Sequence, residues 1–533
     1  MTANQPDHFV LARRIDTLGR SNFWNRQRNP LIIHSRTSTG ASVDRFLRFF
    51  AITLLLTNLS ILGEVTHGAT RHRPISKTAL RELSRRINSL LRSPDLASTH
   101  VGIRVVAPAD STVVFDYNSS KLFHPASNMK LFTSAASIAL LRPGYEFTTE
   151  IRADSLVHDT LVMGNLYVQG HGDPLLTYDD IDTLAMSLQR RGIRRIDGDI
   201  VGDISYFDTV AWGKGWMWDD EPGGYQPYMT PLTLNRNTLR LLITPGPRRG
   251  DPAHVHIENN LLGITLENNS MTSSDSTLPP LRVDRSKETN NIRLSGRFDP
   301  IRKVDTIDVS ISKPEYFFLA WLRRELQSKG IQCAGMIEID TFSRGKIIYE
   351  IRHGLDSVLH LVDKESDNLA AEYLLKTISA TSLDGRGGST AHGIALVRSW
   401  LAGIGVDTSC VVMADGSGLS YYNLASPAAI VRVLEWVSRH KGYFQKFYGS
   451  LSVAGEDGTL AHRFRGTSAR GNLHGKTGTL SGASALSGYV RTKDGTLLAF
   501  SIMCSLYSGE ARPIKRFEDA VVEVLAGSKL GQK

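Results

Sequence analysis

The sequence predicts a mixed α/β (α+β) fold: an antiparallel sheet flanked by helices and interrupted by nested β-rich inserted domains. Three observations predict it. Near the C-terminus, two apolar runs at 486–491 and 497–503 flank the turn Lys493-Asp494-Gly495, the pattern of an antiparallel meander. Helical spacing of apolar residues recurs at 76–93, 128–141 and 427–439, and from Leu369 onward. Between residues 151 and 349, short strand-like runs alternate with turns rich in Gly, Asp and Pro.

At 533 residues, the chain has room for two to four domains. With 41% apolar and 22% charged residues, it can bury a large core. The net charge of +9 is unevenly spread, because residues 1–48 hold eight Arg and no Lys against Asp7, Asp16 and Asp44. The basic excess sits in a leader and not on a folded face, which argues against nucleic acid as a partner. Cys333, Cys410 and Cys504 form no Cys-x-x-Cys pair and no zinc pattern. Three unpaired thiols are expected, with one disulfide as the alternative in an exported chain.

In chain order, residues 1–48 read as a basic leader without fixed structure. Residues 49–69 follow Arg45 and Arg48 with a short, mainly apolar run and then Gly68-Ala69. This is the grammar of a signal peptide, and it predicts export to the periplasm or cell envelope. A retained membrane anchor through 49–63 is the alternative. Residues 72–150 form the first part of the main domain: a helix capped by Ser76, then strands at 101–106 and 112–116. The inserted β-rich material covers 151–349 and includes helices at 178–191 and 314–329. Trp212, Trp216, Trp218, Tyr225 and Tyr228 cluster within it. They are expected to pack the insert or cover a domain junction, with a glycan groove as the alternative. Residues 350–533 complete the main domain.

Three short motifs carry chemistry. Ser127-x-x-Lys130 opens a helix, so its two side chains share a face. A serine hydroxyl needs a base, and a lysine can be one where burial or a neighbouring cation lowers its pKa. Ser366-Asp367-Asn368 opens another helix, where a hydroxyl can relay a proton and an amide can orient Lys130 or hold a carbonyl. Lys476-Thr477-Gly478 lies on a strand, where cation and hydroxyl suit a carboxylate and glycine lets a backbone approach. Taken singly, each has an ordinary reading: an exposed helical pair, a Ser N-cap, an edge-strand Lys. In this order, and on helix, helix and strand, they form one constellation.

That constellation resembles the class C low-molecular-mass penicillin-binding proteins, the D-alanyl-D-alanine carboxypeptidase/endopeptidase family. Pro125-Ala-Ser-Asn-Met-Lys-Leu, Gly164-Asn-Leu-Tyr, Gly172-Asp-Pro, Trp218-Asp-Asp, Asp415-Gly-Ser-Gly-Leu-Ser and Gly475-Lys-Thr-Gly-Thr-Leu all resemble family stretches. The resemblance implies a penicillin-binding transpeptidase-like, β-lactamase-like domain split by the long insert. It also implies a serine-type peptidase acting on peptidoglycan stem peptides that end in D-Ala-D-Ala, or on D-Ala cross-links, and acylated by β-lactams. Ser127 would be the nucleophile and Lys130 its base, with Ser366 and Asn368 in the proton relay and substrate shell. Lys476, Thr477, Gly478 and Thr479 would bind the substrate's carboxylate and strand. The backbone N–H groups of Ser127 and of the strand near Thr479 would form the oxyanion hole. No metal and no cofactor is implied. Tyr421 and Ser481 stand where some relatives carry a basic residue and Gln, which leaves recognition of the stem-peptide side chain open, with Asp203 as one candidate. A class A-like β-lactamase is the alternative, although no Glu occurs between Glu372 and Glu435 to activate a deacylating water. A catalytically inactive wall-binding scaffold is the other.

Overall fold

The computed structural model describes residues 74–157, 160–261, 264–286 and 289–531. The leader at 1–48 and the apolar segment at 49–69 lie outside them. Among the described residues, no helix is long and apolar enough to cross a membrane.

The main domain begins with α1 (Lys77–Leu90), capped as expected by Ser76 Oγ, which accepts from the Ala79 N–H. Strands β1 (His100–Ala107) and β2 (Thr112–Tyr117) follow as an antiparallel pair. The first motif then leads into α2 (Lys130–Leu140). After the insert come α3 (Leu355–Asp363), α4 (Asn368–Ser382), α5 (Thr390–Gly403), α6 (Pro427–Arg439) and α7 (Lys441–Ser450). The chain ends with β3 (Ser452–Val453), β4 (His474–Leu480), β5 (Ala483–Arg491), β6 (Leu497–Ser505) and α8 (Arg512–Ala526). The six strands form one antiparallel sheet in the order β3-β4-β5-β6-β1-β2. N-terminal and C-terminal pieces therefore meet at β1 and β6, where His100 lies opposite Ser505.

Both faces of this sheet are covered. α1 and α8 pack with Ile103, Val105, Leu486, Val490 and Phe500 on one face. α2, α4 and α6 bury Phe132, Leu374 and Leu434 with Ala485 and Met503 on the other. β5 and β6 are accordingly buried along nearly their whole length.

The insert is built on a seven-stranded sheet that includes Glu146–Val157, Leu161–Gly170, Ile200–Asp203 and Lys346–Gly354. The strands that enter and leave the insert pair with each other, with Glu146 opposite Gly354. The limits read from the sequence, 151 and 349, fall inside these two neck strands. Two three-stranded sheets lie farther along the insert, and helices Tyr178–Arg190 and Pro314–Ser328 pack on its core.

Some elements have weaker sequence signals. Strand Glu146–Val157 alternates Phe147, Thr149, Ile151 and Ala153 inward, with Thr148, Glu150 and Arg152 between them, a short-period signal beside a long apolar helix. α7 carries Gly442 and Gly449 and is a poor intrinsic helix, so the burial of Phe447 holds it. All three cysteines are free thiols.

Candidate active site

Ser127 lies in a single 3-10 turn (Ala126–Met129) that runs directly into α2, so the turn that carries the serine precedes the α-helix proper. Ala126 sits at φ +47°, a left-handed conformation costly for a residue with a Cβ. Close packing enforces it. A Cβ on Gly418, itself at φ +84°, would lie 1.8 Å from the Ala126 carbonyl oxygen. On the other side, a Cβ on Gly478 would lie 2.8 Å from the Pro125 oxygen and 3.0 Å from Ala126 Cβ. The turn is clamped between a loop and β4, and glycine is required at both contacts.

Lys130 is completely buried. Its Nζ lies 3.0 Å from Ser127 Oγ, 2.6 Å from Asn368 Oδ1 and 2.7 Å from the Ser417 carbonyl oxygen. The last two atoms can only accept. A neutral amine has two N–H groups and one lone pair; the acceptors take both N–H groups and leave the lone pair for the Ser127 hydroxyl proton. Burial lowers the Lys130 pKa to about 8, against the pull of the Asp415, Asp367, Glu372 and Asp363 carboxylates.

The second motif departs from its simple capping reading. Asp367 caps α4, its Oδ1 accepting from the Ala370 N–H at 2.8 Å. Ser366 is released from that task and held at φ +63°. Its Oγ accepts from Lys476 Nζ at 2.8 Å. Asn368 uses both ends of its amide: Oδ1 accepts from Lys130, and Nδ2 donates to the Tyr225 carbonyl of the insert at 2.8 Å.

On β4, Lys476 is also fully buried, and its pKa is pushed well down by burial and by the neighbouring Lys130. Asn128 Nδ2 donates to the Lys476 carbonyl at 3.2 Å and ties β4 to the Ser127 turn. Thr477 Oγ1 donates to Thr459 Oγ1 at 2.8 Å. Thr479 lies two residues on, opposite Ser484 of β5. Beneath these groups, Asp363 accepts from Ser134 at 3.0 Å and Ser450 at 2.7 Å. Burial raises its pKa to about 6.

Asp203 stands apart. It ends a strand of the insert sheet, buried, with Oδ1 accepting from the Ser205 N–H at 2.9 Å. Its Oδ2 has no partner among the described residues. None of its hydrogen bonds there reaches the Ser127 cluster. The two departures from family pattern meet each other, since Tyr421 OH donates to the Ser481 carbonyl at 3.2 Å.

The site also uses residues to which the motifs assign no role. Glu372 accepts from the Gly416 and Ser417 N–H groups at 2.9 and 2.8 Å, so it fixes the carbonyl that receives Lys130. Asp415 accepts from Gly418 N–H, Ser420 N–H, Asn423 Nδ2 and Trp216 Nε1. The stretch Asp415-Gly-Ser-Gly-Leu-Ser is visible in the sequence, but its contacts are not. Of the aromatic cluster, Trp216 seals the junction, whereas Trp218 is 84% exposed and Tyr225 51% exposed.

The family model for D-Ala-D-Ala carboxypeptidase 3 (S13) matches residues 83–527. A D-alanyl-D-alanine carboxypeptidase of Actinomadura sp. (strain R39) is 32% identical over 495 residues, covering 89% of each chain. The D-alanyl-D-alanine carboxypeptidase DacB of Haemophilus influenzae is 25% identical over 401 residues, 74% of this chain and 83% of that one. In fold, the chain is similar to the crystal structure of penicillin-binding protein 4 (dacB) from Haemophilus influenzae. The TM-score is 0.75 at 24% identity, covering 83% of this chain and 99% of that one. A two-piece sheet domain carrying a buried lysine beside a serine, matched over nearly its whole described length, leaves one assignment: the chain belongs to the D-Ala-D-Ala carboxypeptidase 3 (S13) family, and its activity is that of a D-alanyl-D-alanine carboxypeptidase.

Proposed function

We propose that Ser127 is the acylated nucleophile of this carboxypeptidase and that Lys130 is its general base. The observation that carries the reading is the set of partners around Lys130: Asn368 Oδ1 and the Ser417 carbonyl, at 2.6 and 2.7 Å, take both N–H groups of the neutral amine, which leaves its lone pair for Ser127 Oγ at 3.0 Å. Ser127 attacks the carbonyl of the penultimate D-Ala while Lys130 takes its proton. The oxyanion is received by the N–H groups of Ser127 and Thr479. The terminal carboxylate is held by Lys476, Thr477 and Thr479, and Gly478 admits the peptide backbone. An incoming carboxylate raises the Lys476 pKa against the downward push of burial and of Lys130. Ser366, bonded to Lys476, relays the proton to the leaving D-Ala amine, and Asn368, bonded to Lys130, orients the lysine and holds the acyl portion. Water then hydrolyses the ester.

The same chemistry extends to D-Ala cross-links, so endopeptidase cleavage is part of the proposal, as is acylation of Ser127 by β-lactams. Asp203, with one uncommitted oxygen, is proposed to meet a basic stem-peptide side chain. Action on peptidoglycan places the protein in the envelope, reached through the 49–69 signal or held there by it.

The test is labelling with a fluorescent penicillin beside Ser127→Ala, together with D-Ala release from a peptide ending in D-Ala-D-Ala. A covalent band and D-Ala release, both lost in the variant, are expected. Folded wild-type protein with neither would overturn the reading. The pH dependence is a second check. Only neutral Lys130 can accept the proton, so the acylation rate should rise about tenfold per pH unit below about 8 and level off above it.

A further inference from the structure

We propose that the insert loop at 212–228 belongs to the catalytic machinery, with Trp216 as a positioning residue that fixes the acceptors of Lys130. The inference rests on the reading of Lys130 as base. Lys130 has two acceptors besides Ser127, the Ser417 carbonyl and Asn368 Oδ1. One loop of the insert backs both. Trp216 Nε1 donates to Asp415 Oδ2 at 3.0 Å, and Asp415 organises the turn that presents the Ser417 carbonyl. Nine residues later, the Tyr225 carbonyl accepts from Asn368 Nδ2. That bond decides which end of the amide faces the lysine: were the amide turned over, an NH2 would face Lys130 and a carbonyl would face a carbonyl. One amide hydrogen of Asn368 remains for substrate.

The loop is also anchored within the insert. Glu221 Oε1 accepts from Tyr228 OH at 2.7 Å and lies 3.4 Å from the buried Arg285 guanidinium. The Gly224 N–H donates to the Asp308 carbonyl, and the Ser310 N–H to the Pro222 carbonyl. The loop also lies close against its target, since a Cβ on Gly215 would meet Ser420 Oγ at 2.5 Å. A path of direct contacts therefore runs from Arg285 through Glu221 and the loop to both sides of Lys130.

If the indole merely glued two domains together, its loss would lower stability and leave the chemistry of Lys130 unchanged. If it positions the acceptors, its loss loosens the seal and admits water to the amine. The charged groups that face Lys130 are Asp415, Asp367, Glu372, Asp363 and Lys476, and all of them remain in a Trp216 variant. A shift of the rising limb then reports hydration and orientation, not a lost charge.

The experiment compares wild type, Trp216→Phe and Trp321→Phe by rate of fluorescent-penicillin acylation across pH, with melting temperature measured in parallel. Trp321 is a control from the insert core, buried, with an indole N–H that has no partner among the described residues. Trp216→Phe is expected to acylate about ten- to a hundredfold more slowly at neutral pH, with its rising limb moved to higher pH. Trp321→Phe should lower the melting temperature without moving the limb. Wild-type rate and limb in Trp216→Phe would overturn the proposal. So would equal slowing in both variants with the limb unmoved. Should Trp216→Phe fail to fold, Glu221→Gln loosens the loop from the insert side and should slow acylation several-fold with the same upward shift. An unchanged rate there would count against the proposal. Undiminished labelling of Lys130→Ala with the wild-type limb would instead remove the base reading on which it stands.

Discussion

On the Ser127–Lys476 side, the site is held by steric fit within the main domain. Gly478 and Gly418 press on the Ser127 turn at distances no side chain could share, and Asn128 ties that turn to β4. On the Asn368 side, the site is held by polar contacts from the insert. Lys376 of α4, fully buried, pairs with Asp208 and donates to the Val210 carbonyl at 2.9 Å. The Tyr373 hydroxyl gathers Thr230, Thr233 and Asn237. The difference follows from what each side must do. Close-packed backbone tolerates almost no displacement and suits the nucleophile role proposed for Ser127, in which position sets the rate. Hydrogen bonds across a junction are directional and suit groups whose orientation matters, such as an amide with two unlike ends.

Changes on either side sharpen this contrast, taken from the largest expected effect to the smallest. Gly478→Ala places a methyl 2.8 Å from the Pro125 oxygen and pushes β4 away from Ser127. We expect kcat/KM to fall by about 10² or more, from a shift of well under 1 Å, with the protein still folded. Wild-type turnover would break the steric half of the comparison. Lys376→Met removes one partner of the pair with Asp208 and leaves a partly buried carboxylate alone. Denaturant titration should show a loss of about 3 kcal/mol, and acylation should slow through α4. Tyr373→Phe strips the hub from the junction and leaves the Thr230 N–H and Asn237 Nδ2 short of a partner. About 2 kcal/mol of stability should go, read from the same titration. Arg236→Ala breaks contacts at 3.2 Å with Glu365 and 3.5 Å with Asp367, but the arginine is 43% exposed. A change of about 0.5 kcal/mol or less is expected, since exposed pairs contribute little. A larger loss would mean that surface charge, and not the buried contacts, secures the junction.

The legible part of the molecule was the part encoded locally. α6 begins at Pro427 and ends at Arg439, as its periodicity and Pro at the first turn require. The β5–β6 meander follows its apolar runs, and the three motifs meet in one site. The illegible part depends on contacts between residues far apart in sequence. Nothing near Ser366 announces that Asp367 takes the cap and frees the serine for Lys476. Trp216 and Asp415 are 199 positions apart, and neither reads as part of an active site without the other. Tyr225 contributes a backbone carbonyl, which any residue could supply, so its identity carries no signal for that contact.

The neck of the insert has a consequence for folding kinetics. β1 must find β6 across almost the whole chain, and such distant pairings slow folding. Closing a flexible loop of ~200 residues costs about 5 kcal/mol on logarithmic scaling. With Glu146 opposite Gly354, a formed neck brings the two separated pieces of the main domain side by side. Once that pair exists, the remaining search between the two pieces is nearly as short as if the insert were a tight turn. Pulse-labelling hydrogen exchange during refolding should therefore show neck amides protected before those of β1 and β6, and simultaneous protection would rule out that order of events.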